Sequence, residues 1–228
     1  MPEPIDELTP IANYIAHEMT QNPWTPPGRR IRELNSVQAS CIADWVKAPW
    51  WQQWVQMPPS DCVNLGVTAF FVACKIWYNQ VRTDGPWDHK PIFKRRNDLW
   101  SKSTGSSEWH IYGETAYSFD CWSNVHYGYV GSAIGFSAAV LLDGAGAAQA
   151  KSDWDQPNGW PRGTGSSILP RRFDRPEDRV SISLGIKLRN ELPAHITVPI
   201  LVRAVVSTPG LLKQPASATR KQQPSAAQ

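Results

Sequence analysis

Two short stretches hold most of the residues in this chain that could do chemistry. Residues 85–91, GPWDHKP, set Trp87, Asp88, His89 and Lys90 in a row. Residues 117–137, YSFDCWSNVHYGYVGSAIGFS, set Asp120, Ser123, Asn124, His126, Tyr127 and Tyr129 beside Gly128, Gly131 and Gly135. Imidazoles exchange protons near neutral pH, a carboxylate can orient an imidazole, and an ammonium stabilises a charged transition state. For metal-independent phosphodiester cleavage, His126 would be the base and Asp120 would hold its tautomer. His89 would be the acid and Lys90 the electrostatic stabiliser. Trp87, Tyr127 and Tyr129 could stack on bases, with Asn124 and Asp88 completing a substrate-binding set. The plainer reading makes Asp88 and Lys90 a surface pair, His89 solvated, His126 a satisfied core residue and the aromatic groups core. No organic cofactor is expected. Asp88, His89, Asp120 and His126 carry oxygen and nitrogen donors suited to several divalent metals, but no tight ligand motif such as HExxH connects them.

These side chains need rigid elements to hold them. A first helix is expected over 11–22, with Ile11, Tyr14, Ile15 and Met19 on one side. A proline-rich connection fills 22–30, and a second helix runs from about Ile31 to Lys47, before Pro49. Residues 61–82 are apolar nearly all round, so they are expected to form the buried central helix and to deliver the 85–91 loop to the site. Lys94, Arg95 and Arg96 read as a solvated charge run. Residues 108–118 have room for a small β-hairpin turning at Gly113 and Glu114. If 119–131 is helical, Asp120, Asn124, Tyr127 and Gly131 share a face, with Trp122, His126 and Val130 beside it. Direct contact of Asp120 with His126 would then need a bent start.

Ser137 is expected to cap a helix through about Lys151 whose glycines and alanines allow close packing. A long Gly/Pro/Asp-rich loop follows over 152–175. Residues 175–190 start with Pro176 and acids, which signals a helix, although their apolar residues alternate as in a strand; a helix is expected. Residues 196–206 form a last apolar element. The expectation is a mainly α chain: a single globular domain over 11–206, a loose N-terminus over 1–10 and a disordered tail over 207–228.

The 228 residues, 41% of them hydrophobic, suffice for one sizeable core. A net charge of +3 is too small to argue for a nucleic-acid groove by itself. Of twelve tryptophans, Trp24, Trp87, Trp109 and Trp160 lie among turn-forming or polar residues and are expected to line a pocket. Cys41, Cys62, Cys74 and Cys121 are far apart without CxxC spacing, so they are read as buried thiols, in keeping with a reducing cytoplasm during synthesis. The acidic, proline-bearing start is not a cleavable signal, and no run is apolar enough to span a membrane.

The segments GPWDHKP, FDCWSNVHYGYVG, GFS, LLDGAGAAQ and FDRPEDRVSISLGIKL, in this order, resemble the polymorphic toxin type 44 domain family (bacterial toxin 44). The resemblance spans about 11–190. It implies an antibacterial effector made in the producer cytoplasm and carried into a rival cell by a secretion or delivery apparatus. It further implies neutralisation at home by a cognate immunity protein, and a ribonuclease acting on RNA in the target cytoplasm. Phe119 stands where the family often has Tyr. The Asp120 and His126 spacing is also similar to that of colicin M-type enzymes. That similarity implies an envelope hydrolase acting on peptidoglycan or its lipid-linked precursor from the periplasm, although Tyr127 replaces the Arg of that pattern. A third reading is a non-enzymatic binding or inhibitory module docking through its Trp-rich surface.

Overall fold

A computed structural model describes residues 5–49, 53, 60–95, 108–156, 159, 161, 163–164, 168–192 and 196–220. It is mainly α-helical, with nine helices among the described residues and one small antiparallel sheet. Trp160, Arg96, and most of the segment between Pro49 and Ser60 lie outside the described residues.

Helix α1, Leu8–Gln21, buries Leu8, Ile11, Ile15 and Met19 on one face. The chain is already fixed ahead of it. Asp6 Oδ1 accepts from the Leu8 and Thr9 amides, and the Ile111 amide donates to buried Glu7 Oε2 at 2.7 Å. The loose N-terminus therefore does not extend to residue 10. A 3₁₀ turn, Asn22–Trp24, leads into α2, Pro26–Lys47. This helix starts about five residues earlier than expected. Thr25 caps it through the Gly28 amide, and Pro26 takes the first turn, where a missing N–H costs nothing.

Helix α3, Ser60–Val81, is not the central element. It buries Cys62, Gly66, Ala69, Ala73 and Trp77, and leaves Val63, Leu65, Val67, Phe71 and Val72 between 44% and 67% exposed. Its small-residue face lies against α2, to which the disulfide Cys41–Cys62 ties it. The expectation of four thiols is thereby corrected: only Cys74 and Cys121 are free. Spacing in sequence could not show it, because only the antiparallel return of α3 brings the two Cα atoms to 5.6 Å.

After the short helix α4, Lys90–Arg95, the hairpin β1 (Trp109–Tyr112) and β2 (Thr115–Ser118) turns at Gly113, which has φ +60°. Its register pairs Trp109 with Ser118 and Tyr112 with Thr115. The centre of the fold is α5, Asp120–Ala133, packed against α7, Pro176–Glu191. The glycines explain this contact. A Cβ at Gly128 would run into the Ile182 carbonyl, and one at Gly185 into the Val125 carbonyl, so the two backbones approach as closely as peptide units allow. Between them in sequence comes α6, Ala138–Trp154, capped by Ser137 through the Val140 amide.

The alternating segment at 180–188 is helical, as Pro176, Glu177 and Asp178 in its first turn require. Helix α8, Val198–Ser207, packs on α1. The expected tail is corrected in part. Strand β3, Lys213–Pro215, joins β2 with Ala116 opposite Gln214, and helix α9, Ala216–Arg220, follows. Among the described residues no helix is long and apolar enough to cross a membrane.

Candidate functional site

The C-terminal end of α3, the 82–90 loop and helices α5, α6 and α7 surround a cavity of about 450 Å³. Two tryptophans from successive elements, Trp77 and Trp87, pack edge to face at 5.8 Å between ring centroids and supply its aromatic wall. Tyr127 adds its ring at 5.1 Å from Trp77, with its hydroxyl donating to the Leu141 carbonyl at 3.0 Å. The polar wall includes Arg82, Asp88, Lys90, Ser123, Asn124, His126, Asp174 and Asp178. The turn that leads into Lys90, the first residue of α4, is tied by a side chain. Asp88 accepts from the Asp84 amide through Oδ2 and from the Lys90 amide through Oδ1, so its carboxylate serves the turn.

The two stretches singled out in the sequence do meet. The His89 and His126 rings are 4.2 Å apart, edge to face, and both residues are 1% exposed. Their contact leaves no room for a phosphate between them, so they cannot act as base and acid on opposite sides of one phosphodiester. His126 is on the cavity wall; His89 packs behind it. The His89 Nδ1 atom lies 2.9 Å from the Tyr14 hydroxyl, and its Nε2 is buried without a hydrogen bond. Burial pushes the His89 pKa down to about 4 and holds that of His126 well below its ordinary value, with the neighbouring His89 acting in the same direction on His126. Both rings are neutral at pH 7.

Asp120 does not hold His126. Its Oδ1 lies 3.1 Å from Lys90 Nζ, an ion pair whose angle falls short of a hydrogen bond. The partner of His126 is Asn22, whose Nδ2 is 2.9 Å from Nε2. Asn124 Nδ2 donates to Asp178 Oδ1 at 2.8 Å. Tyr129 is buried away from the cavity and faces Arg189. Of the other tryptophans expected in a pocket, Trp24 is exposed beneath the Arg32 guanidinium, and Trp109 packs with the hairpin. Asp88, His89, Asp120 and His126 do not converge, and among the described residues no three His, Cys, Asp or Glu side chains are placed to hold a metal ion.

Two carboxylates of the site were not singled out from the sequence, nor were Trp77 and Asn22. Asp174 is 4% exposed; its Oδ1 accepts from the Arg175 amide at 3.1 Å, and Oδ2 has no hydrogen bond. Burial, followed by repulsion from Asp178, raises its pKa to about 6, against the smaller opposing effects of the Arg175 amide, Arg179 and Lys90. Asp178 is raised too, first by burial, with Lys90 opposing and Asp120 reinforcing the shift. The signal was present: Asp174 and Asp178 are four apart in FDRPEDR, one before and one inside the first turn of a helix. A carboxyl poised near neutral pH beside a second carboxylate and an ammonium is the equipment of general acid–base catalysis.

The family model described as bacterial toxin 44 matches residues 76–191, which include every cavity residue named above. No curated protein and no solved structure matches the chain. The match covers half of the sequence, including the central α5–α7 pair and the cavity between α3, α5, α6 and α7, so the chain belongs to the bacterial toxin 44 family and is a bacterial toxin.

Proposed function

We propose that this toxin domain is a general acid–base hydrolase and that its target is the glycan of the cell envelope. The observation that carries the reading is the buried Asp174 carboxyl, whose Oδ2 has no hydrogen bond, in an aromatic-walled cavity beside Asp178 with the Lys90–Asp120 pair at its edge; burial raises its pKa to about 6. In glycoside hydrolysis Asp174 gives its proton to the glycosidic oxygen as the C–O bond breaks. Water adds to the anomeric carbon and loses a proton to the Asp120 carboxylate. Lys90 holds Asp120 in place, and Trp77 and Trp87 offer flat faces to a sugar ring. His126, neutral, contributes a polar edge.

Two features favour this target over RNA. Asp88, Asp174 and Asp178 line the cavity with Arg82 and Lys90, and Asp120 pairs with Lys90 at its edge, so the wall has no cationic excess to draw in a polyanion that binds mainly through its phosphates. The Cys41–Cys62 bond suits an oxidising envelope better than a reducing cytoplasm. A ribonuclease remains the second reading, supported by Trp77, Trp87 and Tyr127 as stacking surfaces for a base. In both readings a delivery apparatus carries the toxin into the rival, and an immunity protein protects the producer.

The test is expression in bacteria with and without a periplasmic leader. The exported form should lyse cells and the form without a leader should be tolerated; growth arrest with RNA decay only from the latter would reverse the order. The proposed chemistry uses no metal, so EDTA treatment of the purified protein should leave its activity within about twofold; loss restored by a divalent ion would overturn the acid–base assignment.

A further inference from the structure

The family match begins at residue 76, yet the ring on the cavity wall is held from outside it. Asn22 lies at the end of α1 and is 4% exposed. Its Nδ2 is 3.2 Å from Glu18 Oε2 and 2.9 Å from His126 Nε2. A carboxylate can only accept hydrogen bonds, so Glu18 fixes which end of the Asn22 amide faces the ring: the NH₂ group gives one hydrogen to Glu18 and the other to His126. An imidazole nitrogen that accepts from an amide carries no proton. In a neutral ring the proton is then on the other nitrogen. The His126 Nδ1 atom makes no hydrogen bond among the described residues, and the residue lines the cavity, whereas His89 does not.

We propose that Glu18 and Asn22 are positioning residues that lock His126 as the Nδ1–H tautomer, so that His126 offers the cavity a neutral hydrogen-bond donor rather than a base. Such a donor stabilises charge developing on a substrate oxygen without itself exchanging a proton. The inference assigns His126 a part in the hydrolytic reading given above and rests on it only for the catalytic consequence; the tautomer is a property of the ring. It also makes the N-terminal helix part of the working site. A fragment restricted to the family-matched residues would lack both positioning groups.

Imidazole ¹⁵N spectra of the full chain test this directly. In the wild type the His126 Nδ1 signal should be of the protonated type and the Nε2 signal of the unprotonated type. Asn22→Asp puts an acceptor where the donor was and should move the proton to Nε2. It should lower kcat at least tenfold with KM within about twofold, the pattern of a lost transition-state contact. Glu18→Gln, a near-isosteric change for which a folding defect is not expected, should let the Asn22 amide turn and bring in an Nε2–H population. A wild-type ring protonated at Nε2, or a tautomer unmoved in both variants, would overturn the proposal. The predicted tautomers in a protein inactive on envelope glycan would instead count against the hydrolytic reading alone.

Discussion

Among the titratable residues, Asp174 does the most to define the site, and its environment makes a prediction about stability. Its folded pKa of about 6 lies above the ordinary carboxyl value of 3.8. The folded state therefore holds the proton more tightly than the unfolded chain between these values, and the associated stability is present below about pH 4 and lost as pH rises through 6. Asp174→Asn should be more stable than the wild type at pH 7, by about 1–2 kcal/mol once solvent screening is allowed for, with the difference closing by pH 4. Urea denaturation at both pH values measures it; equal stability at pH 7 would mean that the carboxyl ionises without cost. The residue scale was only half legible in the sequence. Residue type and local clustering led to Lys90, Asp120, Asn124, Tyr127 and His126, and these do surround one cavity or pair at its edge. Partnership was not legible. Asp120 pairs with a lysine thirty positions upstream in sequence and His126 with an asparagine 104 positions away, and both choices depend on tertiary packing that spacing cannot encode.

At the scale of elements, local signals were reliable and burial was not. The capping serine of α6, the proline and acids of α7 and the turn of the hairpin each act through their own neighbours, so they could be read directly. The place of α3 could not. Its apolar circumference suggested a core helix, but the α5–α7 pair takes the centre because Gly128 and Gly185 let two backbones touch, an advantage that a hydrophobicity count does not register. The peripheral α2–α3 hairpin is held instead by its disulfide, which spans 21 positions. Closing a loop of that length should stabilise the fold by roughly 3 kcal/mol. Thermal melting with and without reductant, alongside Cys41→Ser, should show a loss of that order in both. Four reactive thiols in the unreduced native protein, with no change in melting, would contradict the bond. Because α3 carries Trp77, this loosening should be felt at the aromatic wall of the cavity.

For the whole molecule, the family match fixes the kind of protein, and the cavity narrows what it does. Helix α1 lies outside the match and closes the site from behind through Tyr14 and Asn22. The matched half and the N-terminal segment thus pack as one structural unit. On the reading proposed above, that unit carries out proton transfer between carboxyls rather than contact with a chain of phosphates. The most direct test is purified protein incubated in parallel with isolated cell-wall sacculi and with RNA, followed by release of soluble glycan and by RNA integrity. The account predicts glycan release that declines above about pH 6, as Asp174 loses its proton, falls at least 100-fold in Asp174→Asn, and is accompanied by intact RNA. Degraded RNA with untouched sacculi, or full glycan release by Asp174→Asn, would contradict it.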